Sequence, residues 1–232
     1  MAFVSATKSR VLAGSFSYSC YSRGFSMSSS VDMLEVSTLC DDAKAFIPGQ
    51  ESSTASFDLI YDEAQAAHAG TWSTATKLPV TYLPDGAAVS ERAFLLDSIR
   101  TEYSITSSVT GTVDATLSTQ TTGDTGYGVA LSGLAAVTAD TNGTSVDNGA
   151  SSANGAVAHL HVTAFSGLTS NAVRIEHSTN NSTWTTLGTF TTATGTTTQR
   201  LDIAGTVNRY VRVVDDVTGT GSCTRLVALA RR

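Results

Sequence analysis

Short segments in which apolar and polar residues alternate, separated by Gly and Asn, run along most of this chain and constrain its fold more than any other feature. A period of two places successive side chains on opposite faces of a β-strand. Thr and Val, which recur throughout, favour strands, whereas Gly and Ser favour the tight turns between strands. The chain is therefore predicted to be ordered and mainly β.

The apolar content and the cysteines limit the class of protein. Of the 232 residues, 41% are hydrophobic, and no apolar run approaches the roughly 18 residues of a membrane helix, so we expect no membrane span. The N-terminus has no uninterrupted apolar segment after a basic one, and we expect no cleaved signal peptide. The three cysteines form no C-x-x-C pattern, which favours reduced thiols over disulfides or a zinc site.

Charge divides the chain into two parts. Residues 1–129 carry 14 acidic and seven basic side chains, a net charge of −7, whereas residues 130–232 carry six and seven, a net charge of +1. The change falls in a passage rich in Gly, Asn, Ser and Thr, a composition typical of linkers. We predict one domain over 1–130, a linker over 131–155 and a second domain over 156–232.

The first domain is predicted to be a β-sandwich or barrel with one short helix. Two short strands interrupted at Gly14 and Gly24 come first, and the helix is expected after Asp62. A turn near Gly111 joins two long strands late in the domain. Alternation predicts two sets of residues that each share a face, Ala55, Phe57 and Leu59 in one strand and Val113, Ala115, Leu117 and Thr119 in another.

Over roughly residues 1–130, the order of these predicted elements is similar to that of a known protein family. It runs through "VDMLEVSTLCDDAKAFIPG", a strand, "YDE", a short helix, "VTYLPDG" and the late strand pair "EYSITSSVTGTVDATLSTQTTG". This order resembles the tail tube (major tail) proteins of long-tailed bacteriophages. The resemblance implies a β-sandwich with a flanking helix that assembles into stacked rings, six tube domains per ring, around a channel that conducts DNA.

The same resemblance predicts which residues contact neighbouring subunits. The "AFIPG" segment would pack against the next subunit, and the late hairpin would take part in stacking and in the inner barrel of the tube. The predicted interface residues are Phe46, Ile47, Pro48, Gly49, Val109, Gly111 and Val113. The alternative for the two apolar residues of "AFIPG" is that they cover the core of their own domain.

The acidic balance of residues 1–129 argues against a protein that grips DNA. Binding to phosphates requires a basic patch, because neutralising phosphates dominates the affinity. A channel lined by negative charge would instead let a duplex slide without adhering. The alternative is that the charge only keeps an abundant protein in solution.

The second domain is predicted to be a jelly-roll-like β-sandwich. The segments "IEHSTNNSTWTTLGTF" and "NRYVRVVDDVTGTG" resemble galactose-binding-like or carbohydrate-binding sandwiches appended to phage structural proteins. Trp184 and Tyr210 are candidates for a glycan contact, since aromatic faces pack on sugar rings, although Trp184 is also typical of a core or rim residue. His159 and His161 share one face of a strand and could supply two metal ligands, but no third ligand is evident, which favours polar or partly buried histidines.

The chain shows no pattern of a catalytic site. A G-x-S-x-G elbow, a Walker loop and an H-E-x-x-H pair are all absent. Two pairs of adjacent carboxylates, Asp41 with Asp42 and Asp215 with Asp216, point to opposite faces of a strand rather than to one substrate. We therefore expect no enzyme, no cofactor and no metal.

The resulting hypothesis is a major tail tube subunit of the virion, assembled in the cytoplasm of a bacterial host. The partners implied are other copies of the chain, a tape measure protein and other tail proteins, with DNA passing through the lumen without specific binding. A surface glycan is a further possible partner of the second domain. The alternatives are a phage carbohydrate-binding adhesion or decoration protein and a tail terminator.

Overall fold

The computed structural model describes residues 5–62 and 76–232, most of which form antiparallel strands, and this confirms the mainly β fold class. In chain order the strands are β1 (Arg10–Ala13), β2 (Phe16–Ser17), β3 (Ser22–Glu35), β4 (Phe46–Ile60), β5 (Leu78–Leu83), β6 (Arg92–Ser107), β7 (Val113–Thr121), β8 (Gly126–Val137), β9 (Thr141–Asn142), β10 (Val146–Asp147), β11 (Ala156–Ser178), β12 (Thr185–Thr189), β13 (Thr197–Ile203) and β14 (Tyr210–Arg231). The helix predicted after Asp62 lies outside the described residues. Among those described, no helix combines the length and apolar character of a membrane span.

The described residues form two compact units. The large unit comprises the described part of Met1–Cys20 with Leu78–Leu96 and Gly126–Arg232, and the small unit comprises the described part of Tyr21–Lys77 with Asp97–Thr125. This grouping differs from a division near residue 130, because β1, β5 and the start of β6 belong with the C-terminal strands. β8 pairs along β14, which joins it to the same unit.

The small unit contains a four-stranded antiparallel sheet in the order β3-β4-β7-β6. The predicted alternation is present, since Ala55, Phe57 and Leu59 of β4 are buried while their neighbours Ser56 and Asp58 are not. In β7, three of the four residues expected to share a face are also buried, Ala115, Leu117 and Thr119. Val113, the first of that set, is exposed at the end of the strand.

The strand break predicted at Gly24 is wrong. β3 continues through this residue, and its register against β4 shifts between Ser22 and Gly24. A Cβ atom on Gly24 would lie 3.1 Å from Oδ2 of Asp58, so glycine allows the irregular pairing at this point. The residue therefore marks a bulge within one long strand.

The large unit is built around a ribbon formed by β11 and β14. The two strands pair from Ala156 with Arg231 to Ser178 with Tyr210, so segments that the sequence predicted as separate strands are continuous. The pairing shifts register three times between Val162 and Ser170. These shifts divide the ribbon into two arms, one ending in the chain terminus and one ending in the 178–210 connection.

The ribbon folds back on itself at these shifts. Asp215 and Arg225 lie ten residues apart on β14, which would separate them by about 33 Å in a straight strand. Nevertheless Nε of Arg225 donates to Oδ1 of Asp215 at 2.8 Å, and a second N–H donates to Oδ2. Both side chains are buried, whereas the adjacent Asp216 is exposed and pairs with Arg174, as expected for carboxylates on opposite faces.

The main core of the large unit collects residues from both arms of the ribbon. Most of its members are aliphatic side chains at alternate strand positions, including Ala158, Leu160, Val173, Ile175, Val211, Val213, Val227 and Leu229. Folding the ribbon therefore buries its apolar face within the same chain, which is the dominant stabilising contribution to such a fold.

Two glycines permit the bend. Gly167 has φ +76° and Gly219 has φ +99°, a region that residues with a Cβ atom rarely adopt. A Cβ atom on Gly167 would lie 2.7 Å from the carbonyl oxygen of Thr220, so the two strands approach each other too closely for a side chain.

The segment 131–155, predicted as a linker, carries strand structure. It includes the end of β8 and the short strands β9 and β10, all of which pair with β14. The Gly- and Asn-rich composition therefore reflects tight turns between short strands in this part of the chain.

Candidate subunit interface

The β3–β4 hairpin of the small unit extends beyond the sheet as a two-stranded ribbon. Pairing of β4 with β7 begins at Thr54, while pairing with β3 continues to Phe46. We call residues 30–52, with the loop between the strands, the apolar ribbon. It exposes large hydrophobic side chains on both strands and at the tip, namely Val31, Met33, Leu34, Val36, Leu39, Phe46 and Ile47. Isolated exposed residues are common, but this many large apolar side chains exposed on one short hairpin mark an interaction surface.

Phe46 and Ile47 occupy the start of β4, opposite Glu35 and Leu34 of β3. Their exposed fractions are 47% and 48%, so the described structure does not bury them in the core of the small unit. This placement leaves both side chains available to another chain. Their contact with a neighbouring subunit remains a prediction.

Pro48 and Gly49 shape the apolar ribbon locally. Pro48 lies opposite Met33, in a part of β4 that pairs with β3 only. Proline has no backbone N–H to donate, and here no strand on the other side of β4 needs that hydrogen bond. The register shifts just beyond it, between Val31 and Met33. A Cβ atom on Gly49 would lie 3.1 Å from the carbonyl oxygen of Asp32, which favours glycine at this irregularity. The Pro-Gly pair thus forms a bulge that twists the ribbon.

Polar contacts order the tip of the apolar ribbon. The carboxylate of Asp41 accepts from the backbone N–H of Thr38 at 2.6 Å and from its hydroxyl at 3.0 Å, and these hydrogen bonds hold the pKa of Asp41 below its ordinary value. Lys44 pairs with Glu35 at 2.9 Å across the two strands. Leu39 is therefore displayed, fully exposed, on a structured turn.

A second exposed apolar group lies around the turn between β6 and β7. Its members share the ends of neighbouring strands and are Ile60, Tyr61, Ile105, Val109 and Val113. Val109 is fully exposed, and the turn is closed by a hydrogen bond from Gly111 N–H to Ser108. Arg23 connects the turn to β3 by an ion pair of 3.0 Å to Asp114. We call this group the turn patch.

The apolar ribbon and the turn patch lie at opposite ends of one sheet. β4 begins in the ribbon at Phe46 and ends at Ile60, which pairs with Asp114 beside the β6–β7 turn. A strand of this length spans about 50 Å. The predicted interface residues are therefore brought together in two separate groups, one at each end of the small unit.

The sequence interpretation missed the half of the apolar ribbon that precedes the loop. The acidic residues of "VDMLEVSTL" suggested a solvated surface, and the apolar residues between them received no role. The signal was nevertheless present, since Val31, Met33, Leu34 and Val36 give a strand-forming segment opposite "AFIPG". Only the pairing of the two strands shows how these residues are arranged: Leu34 lies beside Ile47 on one face of the ribbon, and Met33 shares the other face with Phe46.

The structure places Trp184 and Tyr210 beside arginines of the large unit. The guanidinium carbon of Arg212 lies 4.2 Å from the ring centroid of Trp184, and that of Arg209 lies 5.0 Å from the centroid of Tyr210. Arg212 also donates two hydrogen bonds to Glu176. The face of Trp184 under Arg212 is therefore already occupied, and glycan binding through these two aromatic rings remains a prediction.

His159 and His161 share one face of β11, as predicted, and both are fully buried. The hydroxyl oxygen of Thr81 lies 3.1 Å from Nδ1 of His159 and 2.8 Å from Nε2 of His161, while Nδ1 of His161 lies 2.7 Å from the carbonyl oxygen of Gly14. Burial lowers the pKa of His161 to about 4 and that of His159 well below its ordinary value. The pair thus joins β1, β5 and β11 as neutral hydrogen-bonding groups.

The described residues offer no metal centre or disulfide. No three His, Cys, Asp or Glu side chains among them converge as metal ligands. Cys20 and Cys40 are exposed free cysteines, and Cys223 is a buried one.

Comparisons with known proteins give distant structural similarities. No protein-family model and no curated protein matches the chain. Similar solved structures include a chain of the virion of a native gene transfer agent particle (15% identity, TM-score 0.38, covering 46% of this chain and 84% of that chain). A chain from the tail of an empty gene transfer agent particle with C6 symmetry has 12% identity and a TM-score of 0.37, covering 46% and 81%.

A third similar structure is the Dit protein of phage SPP1, described as a paradigm of the hub adsorption apparatus in phages that infect Gram-positive bacteria. It has 10% identity and a TM-score of 0.38, covering 97% of this chain and 99% of that chain. Similarity at these levels establishes no function for the chain, which must be argued from its own residues.

Proposed function

We propose that this protein is a structural subunit of a phage tail, and that its copies assemble into the tail tube through the two apolar ends of the small unit. The observation that carries the proposal is the apolar ribbon, a structured hairpin with hydrophobic side chains exposed along both strands. Such a surface is costly to leave in water and is stabilised when another protein covers it.

A second copy of this chain is the proposed occupant. The turn patch supplies a complementary apolar surface at the other end of the same sheet, so the ribbon of one copy can pack on the turn patch of the next. A contact between two different surfaces is heterologous, and repeated heterologous contacts produce closed rings or open filaments rather than simple dimers. Both outcomes suit a tube made of stacked rings, with six subunits per ring as the family resemblance implies.

The role proposed for the finished tube is passive. Copies would polymerise with a tape measure protein and other tail proteins, and DNA would pass through the lumen. The net charge of −7 over residues 1–129 supports weak contact with DNA, because like charges repel the phosphate backbone.

Electron microscopy of the full chain tests this function. Concentrated wild-type protein is expected to form rings or hollow tubes in negative stain. The double substitution Met33→Glu/Leu39→Glu places two charges in the apolar ribbon and should raise the concentration needed for assembly by at least about tenfold, because burying an unpaired charge is unfavourable.

The matched control adds charge to the same strand outside the apolar ribbon. Ser26→Glu lies at an exposed position of β3 and should assemble like the wild type. Wild-type protein that stays monomeric at high concentration would contradict the proposal, as would assembly that is equally sensitive to both changes.

A further inference from the structure

The large unit contains an open cleft whose residues the sequence analysis did not single out. Its volume is about 480 Å³, within the range of small-molecule sites. It is lined by parts of β6, β8 and β14 and by the segment after β10, namely Arg92, Ala93, Phe94, Tyr127, Gly128, Val129, Asn148, Leu229 and Arg231.

Strand register brings the key side chains together. Arg92 pairs with Val129 and Phe94 pairs with Tyr127 across β6 and β8, while Val129 pairs with Leu229 across β8 and β14. Alternate residues of three neighbouring strands therefore share one face. The cleft combines arginines from its two outer strands with aromatic rings between them.

The two arginines carry charge that nearby carboxylates do little to neutralise. Arg231 donates to the backbone carbonyl oxygens of Asn148 at 3.1 Å and Ala150 at 2.5 Å, and it forms no ion pair among the described residues. Arg92 is 80% exposed and lies 3.9 Å from Asp85, a contact of little strength. A guanidinium has five N–H donors, so both side chains retain donors for an anion.

The aromatic residues form a connected row beside these charges. Phe94 and Tyr127 meet edge to face with ring centroids 5.5 Å apart, and Phe94 stacks with Tyr82 at 6.1 Å. Tyr127 is 56% exposed, so it presents ring surface to the cleft while its neighbours hold it in place. Exposed aromatic rings of this kind pack against the apolar faces of sugar rings.

We propose that this cleft binds an anionic saccharide, with the sugar ring packed on Tyr127 and its carboxylate or phosphate bound by Arg231 and Arg92. Two cations suit a short saccharide with one or two anionic groups. They are too few for a nucleic acid, which needs many phosphate contacts at once. The proposal concerns the large unit alone and does not depend on assembly into a tube.

Saturation-transfer NMR with defined disaccharides tests the site on the full chain. Digalacturonate is the anionic ligand, and galactobiose is its neutral counterpart. We expect digalacturonate to bind, and galactobiose to bind at least about tenfold more weakly, because a charge-assisted hydrogen bond is lost. A thymidine dinucleotide tests the nucleic-acid alternative and should also bind more weakly.

Substitutions locate the binding. Arg231→Gln and Tyr127→Ala should each weaken digalacturonate binding by about tenfold. Arg92→Gln removes the second positive charge from a highly exposed side chain. It should also weaken binding, and it makes the test independent of any disturbance of the 148–150 segment by the loss of Arg231. Arg209→Gln, an arginine paired with Asp147 outside the lining residues, should bind like the wild type.

Four results would overturn the proposal. The first is no binding of digalacturonate, and the second is equal binding of galactobiose. The third is dinucleotide binding that exceeds digalacturonate binding and depends on Arg231. Loss of binding in Trp184→Ala but not in Tyr127→Ala would likewise assign the glycan contact to the other aromatic site.

Discussion

Two long antiparallel ribbons dominate this protein, and they handle their apolar residues in opposite ways. The β11–β14 ribbon bends back on itself and buries alternate aliphatic side chains between its arms. In the apolar ribbon of β3 and β4, no second layer from the described residues covers the outer half, and its hydrophobic side chains are exposed. Both have strand-forming sequences, so strand propensity does not explain the difference.

The two ribbons differ in whether the residues along them allow a sharp bend. The β11–β14 ribbon has glycines with positive φ and a buried ion pair that fix the fold-back. The apolar ribbon has a Pro-Gly bulge and an ordered tip, but no comparable bend. Apolar surface that a chain does not bury against itself is available for another copy, and the following predictions test this distinction.

The largest expected effect comes from breaking the buried ion pair. Arg225→Met leaves the carboxylate of Asp215 buried without its cation, which should lower the free energy of unfolding by about 3–5 kcal/mol. Urea unfolding below the assembly concentration measures this effect. The control is Arg209→Met, since Arg209 forms a similar bidentate pair with Asp147 in an exposed position, and its loss should change the free energy of unfolding far less. Equal losses in the two variants would refute a special role for the buried pair.

The bend itself can be tested at Gly167. In Gly167→Ala, the added Cβ atom would sit on a residue with positive φ and close to the carbonyl oxygen of Thr220. The substitution should therefore reduce the free energy of unfolding by about 2–3 kcal/mol. Gly149→Ala shares the positive φ, at +78°, but has no atom within 4 Å of the added Cβ, so it should cost only about 1 kcal/mol. If the two variants unfold at the same urea concentration, crowding at the bend contributes nothing.

Acid should weaken the large unit through its buried histidines. Burial lowers the pKa of His161 to about 4 and that of His159 well below 6.5, so the unfolded chain binds protons that the folded chain does not. Stability is therefore complete above about pH 6.5 and declines toward pH 4, by at most about 1.4 kcal/mol per pH unit for each histidine. Asp147 and Asp202, whose pKa values are about 2, lose their contribution only below about pH 3.8.

Unfolding free energies measured between pH 7.5 and pH 4.5 check this window. The variant His159→Asn/His161→Gln keeps polar groups near Thr81 but cannot take up a proton, so its stability should vary much less with pH. A wild-type slope that persists unchanged in this variant would show that other groups control the acid response.

The smallest expected effect on folding comes from the apolar ribbon. Met33→Glu/Leu39→Glu changes side chains that are already exposed, so the free energy of unfolding of the monomer should change by less than about 0.5 kcal/mol. Circular dichroism during urea unfolding provides the measurement. A loss comparable to that of Arg225→Met would mean that these residues support the fold of their own chain.

The sequence predicted local structure better than long-range arrangement. Alternation correctly placed Ala55, Phe57 and Leu59 on one face, and the turn near Gly111 was also correct. The prediction of a strand break at Gly24 was wrong, because a glycine within an alternating segment is typical both of a bulge and of a strand end. The composition of residues 131–155 predicted a linker, whereas the structure has short strands there that pair with β14. Short strands joined by tight turns have the same Gly- and Asn-rich composition as a loop.

The candidate sites show the same limit. Phe46 and Ile47 were predicted as interface residues from a contiguous motif, but identifying the residues opposite them on β3 required knowledge of the hairpin register. The cleft draws on residues near positions 92, 127 and 229, which no local motif connects. The fold-back of β14 depends on Asp215 and Arg225, and a sequence pattern read at period two contains no signal for a contact between them.

Sedimentation velocity on two complementary variants tests the head-to-tail claim most directly. Met33→Glu/Leu39→Glu disables the apolar ribbon, and Ile105→Glu/Val109→Glu disables the turn patch, so each variant alone should sediment as a monomer. When mixed, the intact turn patch of the first can bind the intact ribbon of the second, and the account predicts a dimer that grows no further. Self-association of the turn-patch variant alone, or a mixture that remains monomeric, would contradict the proposal that one copy's ribbon packs on the next copy's turn patch.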